Sequence, residues 1–338
     1  MSGRLDEVAR RAGVSEATVS RVLNGKPGVS AAARASVLTA VDVLGYDRPS
    51  RLRRAGAGLV GLVVPELSTP IFPAFAQAVE AHLAAAGYAC VLCPQLPGGV
   101  REDEYVQLLL DRGVAAIIFV SGHHADTRAT VERYHRLRDR RLPIALVNGY
   151  REDVPAPFVS HDGVAAAGLA VRHLRDLGHT LIGLATGPRR YLPVQRRIAG
   201  FRAAVADLVE PDQVEALVQT TLFSVEGGAT AGHRLVESGA TAVVCGSDLM
   251  AFGVVRAARQ AGLRVPEDVS VVGADDSPLL AFTDPPLTTV RQDVASMSEA
   301  AVNAVLEEID GAQPQHQEFL FAPELVVRGS TAPAPDTR

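Results

Sequence analysis

The sequence predicts a protein of two parts: a small all-α head of helix-turn-helix type, then a larger α/β body made of two doubly wound lobes. Residues 1–46 hold three short helical patterns separated by glycine, whereas residues 59–338 alternate apolar runs with amphipathic stretches. The 338 residues suffice for two or three domains of ~100–200 residues each. Charge divides the chain in the same way. Residues 1–60 carry ten basic and five acidic side chains, a net +5, whereas the whole chain carries −5.

Composition excludes several classes of protein. Hydrophobic residues make up 47% of the chain and charged residues 21%, as in a soluble globular protein. No run approaches the ~18 consecutive apolar residues of a membrane span, and the N-terminus lacks a signal peptide's apolar stretch. Cys90, Cys93 and Cys245 supply neither a disulfide framework nor a zinc site. We therefore expect a cytoplasmic protein with no membrane partner, no metal and no cofactor.

The basic head (residues 1–46) shows the pattern of three packed helices. Apolar residues along one face predict a helix at residues 5–12, which ends at Gly13. Ser15 and Ser30 are natural N-caps for a second and a third helix. Two short helices joined by a tight turn, with a third packed against them, form a helix-turn-helix domain. The alternative is a generic three-helix domain with no role on DNA, and the positive charge argues against it.

Residues 5–25, LDEVARRAGVSEATVSRVLNG, resemble the head of the LacI/GalR family of transcriptional repressors nearly position for position. The resemblance implies that the second helix enters the major groove of double-stranded operator DNA. It assigns base contacts to Glu16, Ala17 and Arg21, and phosphate contacts to Ser15, Thr18 and Asn24. Arginine can grip guanine O6 and N7, glutamate can accept from cytosine N4, and alanine can touch a thymine methyl. Favourable charge at a helix N-terminus is the alternative explanation for Glu16.

Residues 47–58 are expected to link the head to the body. In the family, this segment is a hinge helix that folds on the operator and inserts a leucine into the minor groove. The chain is a few residues shorter here, so the leucine position is Leu52 counted from the body and Ala55 or Gly56 counted from the head. We favour Leu52, because Arg51 and the arginines after it suit phosphates. An unstructured basic linker is the alternative.

The body repeats a strand-helix pattern that predicts parallel sheets. Strands are expected at residues 59–64, 89–93, 116–120, 144–147, 181–185, 242–245 and 269–273. Helices are expected near 73–86, 102–112, 126–140, 163–177, 195–208, 226–238, 249–262 and 293–310. Ligands of such folds bind at the carboxyl ends of the strands, here in the cleft between the lobes.

No catalytic motif accompanies this pattern, so we expect no enzyme. The chain has no Gly-x-Gly-x-x-Gly after a strand, no phosphate loop with Lys-Ser/Thr, no nucleophile elbow and no His-Glu-x-x-His. The histidines between residues 123 and 135 match no defined metal site and fit a polar loop better. Asp275 and Asp276 point in opposite directions if they end a strand. One of them is expected to bind a ligand and the other to pack or cap.

From about residue 59 to residue 331 the body also resembles the LacI/GalR family and looks like a type I periplasmic sugar-binding protein without its signal peptide. The motifs include RIAGF at 197–201, VVGADD at 271–276, PLTTV at 286–290 and VRGST at 327–331. The resemblance implies interleaved lobes with chain crossings near residues 161, 292 and 323. It assigns effector binding to Asn148, Asp162, Arg197, Phe223, Ser247, Asp275 and Gln292.

The residue types agree with a sugar as the effector. Aspartate, asparagine, arginine and glutamine make the directed hydrogen bonds that a polyol needs. The ring of Phe223 can stack on a pyranose face, and Phe72 is a second candidate for stacking. An ordinary core position is the alternative for both rings. Many relatives have asparagine where this chain has Ser247, so no single relative's sugar preference transfers.

Three further stretches, at residues 65–75, 102–105 and 120–127, are similar to actinobacterial maltose-utilisation repressors. We therefore expect a homodimeric repressor that leaves a pseudo-palindromic operator when a small sugar, such as maltose or a malto-oligosaccharide, enters the cleft. One alternative is a corepressor-dependent regulator, and another is a cytosolic sugar-binding protein with a vestigial head. Residues 332–338 contain two prolines and no apolar heptad, so a tetramer joined by a coiled coil is not expected.

Overall fold

The computed structural model describes residues 2–23, 28–44, 58–95 and 98–335. The chain separates into two compact units, one up to Ala57 and one from Gly58 onward. Asn24, Arg51 and Leu52, which the sequence assigns to DNA contacts, lie outside the described residues.

Three helices form the described part of the head: α1 (Ser2–Ala12), α2 (Glu16–Leu23) and α3 (Ala31–Val43). Gly13 ends the first helix with a φ of +67°, a left-handed conformation that glycine adopts without strain. Ser15 and Ser30 act as the predicted caps, since their Oγ atoms accept from the backbone N–H of Thr18 and Ala33, each at 3.2 Å. The core of the head consists of Val8, Ala9, Val19, Val22, Val37, Ala40 and Val41.

The first lobe of the body is a six-stranded parallel sheet between two layers of helices. Its strands are β1 (Leu59–Val64), β2 (Ala89–Pro94), β3 (Ala116–Val120), β4 (Ile144–Val147), β5 (Phe158–His161) and β11 (Glu318–Phe321), in the order β11-β5-β4-β3-β1-β2. One face packs on α4 (Ile71–Ala86) and α12 (Val294–Ile309), and the other on α5 (Glu102–Asp111) and α6 (Glu132–Asp139).

The second lobe repeats this architecture with one antiparallel edge. Its strands are β6 (Ile182–Thr186), β7 (Val218–Thr220), β8 (Ala242–Cys245), β9 (Ser270–Asp275), β10 (Thr288–Arg291) and β12 (Glu324–Val326), in the order β12-β10-β9-β8-β6-β7. Strand β12 runs antiparallel to β10. One face packs on α7 (Gly163–Asp176) and α8 (Leu192–Val205), and the other on α10 (Val225–Glu237) and α11 (Asp248–Gln260). A short helix, α9 (Pro211–Ala216), precedes β7.

The chain passes between the lobes three times: from β5 to α7, from β10 to α12, and from β11 to β12. Each lobe is therefore assembled from separate pieces of sequence. The carboxyl ends of β1, β3 and β4 in one lobe and of β6, β8 and β9 in the other lead into the cleft. Parallel strands thus place loop residues from both lobes around one cavity.

The predicted fold class is confirmed, whereas some predicted elements are wrong. The helix expected at residues 126–140 is a 3-10 turn at His123–Ala125 followed by a shorter helix, Glu132–Asp139. Five strands were not predicted: β5, β7, β10, β11 and β12. Each has only three or four residues and includes at least one polar or charged side chain, so no continuous apolar run marked it, unlike the equally short β4 and β8. Among the described residues, no helix is long and apolar enough to span a membrane.

Candidate functional site

A cavity of about 430 Å³ lies between the two lobes of the body. Its walls contain the carboxyl ends of strands and the first turns of helices from both lobes. The structure brings together the following predicted effector residues at this cavity: Phe72, Asn148, Arg197, Phe223, Ser247, Asp275 and Gln292. The volume falls in the ~300–1,000 Å³ range of small-molecule sites.

A buried cation and a carboxylate face the cavity from the second lobe. Arg197, on α8, is only 9% exposed, and burial lowers the pKa of its guanidinium while the charge of Asp275 opposes this shift. Burial likewise raises the pKa of Asp275, against the effect of Arg197. Gln292 donates from Nε2 to Oδ1 of Asp275 at 2.6 Å, and its buried Oε1 accepts no hydrogen bond from the residues that the structure describes. The group therefore presents directed donors and acceptors to a polar ligand.

Asp275 and Asp276 have different partners, as the sequence leads one to expect. Asp276 accepts from Arg291 Nε and from Arg328 Nη2, both at 2.7 Å, and it does not line the cavity. Asp275 has a φ of +105° and Asp276 a φ of +59°, an uncommon conformation for residues other than glycine. The two arginines bonded to Asp276 hold this turn in place, so that Asp275 faces the cavity.

Ser247 and Asp248 begin α11 at the wall of the cavity. Ser247 Oγ accepts from the backbone N–H of Met250 at 3.2 Å and caps the helix. Asp248 is 2% exposed and accepts from Ser277 N–H, Ser277 Oγ and Thr289 Oγ1, each at 2.8 Å. Burial, reinforced by the charge of Asp275, raises the pKa of Asp248 to about 7. Asp248 thus supports the site from behind the cavity wall.

Asn148 and two phenylalanines complete the cavity walls. Asn148 has a φ of +61°, and its Oδ1 accepts from the backbone N–H of His161 at 3.1 Å. Phe223 lies directly against Gly187, where a Cβ atom would collide with the ring. Phe72 and Phe223 are both half-buried, so each keeps an exposed surface for a ligand. Half-buried rings on opposite lobes are suited to the apolar faces of a sugar.

Asp162 does not belong to the set that lines the cavity. It caps α7 instead, since its Oδ1 accepts from the backbone N–H of Ala165 at 2.9 Å. Aspartate is a preferred N-cap residue because its carboxylate satisfies a free N–H and lies near the positive end of the helix. The capping bond uses Oδ1 alone, so the role of Asp162 as an effector ligand stays a prediction.

Sequence reasoning missed a contact that joins the two lobes beside the cavity. Arg190, in the second lobe, donates from Nε to Oδ2 of Asp126, in the first lobe, at 2.9 Å. The carbonyl of Arg190 also accepts from Thr127 N–H and Thr127 Oγ1, each at 2.9 Å. The guanidinium of Arg190 lies over the Tyr191 ring, with Cζ 4.7 Å from the ring centroid. In the sequence, only the polar character of the loop after β3 indicated a role for Asp126. Its partner, Arg190, is 64 residues further along the chain, so the pairing could not be inferred.

A buried carboxylate anchors that loop. Glu102 is fully buried and accepts from Tyr134 Oη at 2.6 Å and from the backbone N–H of His123 at 2.9 Å. Arg133 lies 3.4 Å from Glu102 and 3.0 Å from Asp103. Burial, followed by the charge of Glu102, raises the pKa of Tyr134 well above its usual value. Glu102 therefore connects α5, α6 and the loop after β3.

One histidine of the same loop, His124, has a structural role. His124 is fully buried, and its Nε2 lies 2.6 Å from the carbonyl oxygen of Asn148, to which it can only donate. Burial lowers the pKa of His124, which favours the neutral ring. Among the residues that the structure describes, no cluster of three histidine, cysteine or acidic side chains could hold a metal ion.

In the head, the start of α2 is open to solvent. Ser15, Glu16, Ala17 and Arg21 are exposed and Thr18 is half-buried, whereas Val19 and Val22 lie in the core. The predicted base-reading side chains thus share the outer surface of one helix. A helix of this kind, beside a tight turn, can enter the major groove.

Two comparisons with known families agree with this architecture. Residues 4–49 match the family "Bacterial regulatory proteins, lacI family", and residues 171–331 match a "Periplasmic binding protein-like domain". The HTH-type transcriptional regulator reg1 of Streptomyces lividans is 60% identical, with 100% of this chain and 99% of that protein covered. MalR of Streptomyces coelicolor is 59% identical with the same coverage.

Solved structures share the fold over most of the chain. The transcriptional regulator CelR in complex with cellobiose superimposes with a TM-score of 0.72 at 29% identity, covering 96% of this chain and 99% of that one. The lac repressor dimer bound to operator and the anti-inducer ONPF gives 0.69 at 26% identity, covering 96% and 98%.

A helix-turn-helix head and a two-lobed body of this kind define a transcription regulator rather than an enzyme. The chain belongs to the LacI family of bacterial regulators.

Proposed function

We propose that this protein is a homodimeric repressor of carbohydrate-utilisation genes that releases a pseudo-palindromic operator when a small sugar enters the cleft. The observation that carries the proposal is the polar set at the cavity. Arg197 supplies donors, Asp275 supplies an acceptor, and Gln292 holds that carboxylate in place through its hydrogen bond to Oδ1. Together they match the dense donors and acceptors of a polyol. Phe72 and Phe223 add surfaces for the apolar faces of a sugar ring.

A glucose-based sugar such as maltose or a malto-oligosaccharide is the preferred effector. CelR, which shares the fold along nearly the whole chain, is described in complex with cellobiose, a disaccharide of glucose. The stretches similar to maltose-utilisation repressors include Glu66, Phe72 and Ser121, and the structure places all three at the cavity. This agreement supports a disaccharide of glucose over a charged or purely apolar effector.

On DNA, we assign base contacts to Glu16, Ala17 and Arg21. We assign phosphate contacts to Ser15, the residue before α2, and to Thr18 in its first turn. Asn24, Arg51 and the Leu52 wedge are proposed from the sequence alone. Two half-sites ~34–36 Å apart require two heads related by a two-fold axis, so the proposal includes a dimer formed through the body. The helix at residues 73–86, whose exposed residues are Gln77, Glu80, Ala81, Ala85 and Ala86, is one proposed contact.

Release follows from linkage between the two sites. If a sugar binds the lobe arrangement that is incompetent for DNA more tightly, sugar and operator must weaken each other's binding by the same factor. A corepressor would have the opposite sign, with the sugar strengthening operator binding.

A gel-shift experiment tests the proposal. Genomic fragments are selected by the protein, and the selected duplex is challenged with a panel of mono- and disaccharides. The expected result is selection of a pseudo-palindromic duplex and its release by a glucose-based disaccharide. If no duplex is selected, the proposal that the protein binds an operator is contradicted. If a sugar strengthens the complex with DNA, the proposal that the sugar acts as an inducer is contradicted. Light scattering at micromolar concentration is expected to give about twice the 35.6 kDa chain mass.

A further inference from the structure

The cavity between the lobes adjoins another space on the second lobe. A second depression of about 560 Å³, here called the side groove, lies beside it in the second lobe. Pro188 and Leu222 line both the cavity and the side groove, so the two are adjacent spaces separated by these residues. The groove lies beyond the carboxyl ends of β6 and β7, the sheet edge at which this fold binds ligands.

Leu222 forms the ridge between the two spaces. Its side chain is 69% exposed, although the backbone around it is well fixed. The carbonyl of Leu222 accepts from Ser224 N–H at 2.9 Å, and Thr221 donates through its N–H to Thr186 O and through Oγ1 to Gly227 O, both at 2.9 Å. Gly227 lies so close to the backbone of Leu222 that a Cβ atom could not fit there. The apolar side chain of Leu222 is thus exposed to solvent on a turn whose backbone is fixed by hydrogen bonds.

The side groove carries hydroxyl groups around this apolar ridge. Thr220, Thr221, Ser224 and Thr230 line it, together with the charged side chains of Arg189 and Glu226. The hydroxyls of Ser224 and Thr230 make local bonds to Gly227 N–H and to the carbonyl of Glu226, each at 3.0 Å, which fix their positions. Fixed hydroxyls beside an aliphatic surface are complementary to a sugar ring, which has polar edges and apolar faces.

We propose that the side groove is a second sugar subsite, which takes the next unit of a linear gluco-oligosaccharide whose first units fill the cavity. The proposal rests on the proposed sugar-binding function and extends it. The chain would cross Leu222, whose exposed methyl groups pack against the apolar face of the bridging unit. A disaccharide then binds in the cavity alone, and an oligosaccharide of at least three units binds more tightly because it also fills the side groove.

Calorimetric titrations with glucose, maltose and maltotriose, and with cellobiose and cellotriose, test this inference on the full chain. The expected result is that one trisaccharide binds at least about tenfold more tightly than its disaccharide. Thr230→Phe places a large ring in the side groove without touching the cavity. It is expected to abolish the gain from the third unit and to leave disaccharide affinity unchanged.

His233→Phe is the matched control, because it adds the same ring to an exposed position of the same helix outside the groove. It is expected to retain the gain. Equal affinity for disaccharide and trisaccharide overturns the second subsite and leaves the proposed function intact. A gain that survives Thr230→Phe overturns the assignment to this groove. Failure of every sugar in both series to bind overturns the proposed effector together with the subsite.

Discussion

Arg190 and Asp126 form an ion pair across the two lobes, with Arg190 Nε 2.9 Å from Asp126 Oδ2. The pair lies at the cavity and is reinforced by Thr127, which donates twice to the carbonyl of Arg190. The cavity is lined by both lobes, so a ligand that fills it would hold the lobes together. A direct contact between the lobes, such as this ion pair, stabilises the same arrangement of the lobes. The side chain of Arg190 is 37% exposed, so solvent reduces the strength of the pair.

This pair is expected to contribute modestly to sugar binding. Asp126→Asn and Arg190→Gln should each weaken sugar affinity about two- to fivefold, and the double variant should be no weaker than the worse single variant. A double-mutant cycle by calorimetry measures the coupling. Arg175→Gln, which removes an arginine bonded to Asp207 within the second lobe and outside both the cavity and the side groove, is the control. Strict additivity of the two single effects would show that the pair makes no contribution.

The buried Glu102 is expected to be a major determinant of stability. The Glu102 carboxylate is fully buried and accepts hydrogen bonds from Tyr134 Oη and from the backbone N–H of His123. Glu102→Gln removes its charge, so the free energy of unfolding should fall by about 3–5 kcal/mol. Urea denaturation measures the change. Asp103→Asn is the matched control, since Asp103 pairs with the same Arg133 but its side chain is half exposed, and a loss below about 1 kcal/mol is expected. Equal losses for both variants would contradict the account.

Arg21 is expected to carry sequence selectivity on DNA. Arg21→Ala should lower discrimination between operator and random duplex by ~1–3 kcal/mol, and sugar affinity should stay unchanged. Arg11→Ala removes the same charge from an exposed position on α1 and should affect operator and random DNA alike. Gel shifts at several salt concentrations separate the two effects. Unaltered selectivity in Arg21→Ala would refute the assignment of α2 as the reading helix.

Asp248 is expected to make stability depend on pH. Its pKa is raised to about 7, whereas an unfolded aspartate titrates near ~3.9. Between about pH 4 and 7 the folded chain therefore holds a proton that the unfolded chain has lost, and the contribution of Asp248 to the free energy of unfolding falls as pH rises.

Asp248→Asn removes this titration. The difference in free energy of unfolding, wild type minus variant, should decrease from pH 5 to pH 8 in urea series, by about 1.4 kcal/mol for each unit of raised pKa crossed. Asp293→Asn is the control, because hydrogen bonding to Ser296 lowers the pKa of Asp293, so its contribution is constant over this range. A flat difference for Asp248→Asn would show that the residue does not titrate there.

Much of the fold is predictable from the sequence because long apolar strands and capped helices have clear local signals. The strands that escaped prediction are short or polar. In β10, for instance, Thr288 and Thr289 are fully buried, yet their hydroxyls are satisfied by residues far along the chain, such as Asp248. Such burial depends on tertiary partners, and periodicity cannot reveal it.

The cavity was largely predictable for a different reason. The family resemblance identifies side chains at strand ends, and the fold brings those ends together. For Asp162 the structure shows a helix cap, and its predicted role as an effector ligand stays a prediction. The Arg190–Asp126 contact and the burial of Glu102 could not be inferred, because both depend on how separate loops meet in space.

The central claim is that sugar and operator bind in opposition. The most direct measurement is the anisotropy of a labelled operator duplex titrated with the full-length protein, with and without saturating effector sugar. The account predicts that sugar weakens operator binding at least about tenfold, and that operator weakens sugar binding by the same factor in calorimetry. Operator affinity that no bound sugar alters, or that a bound sugar increases, would contradict it.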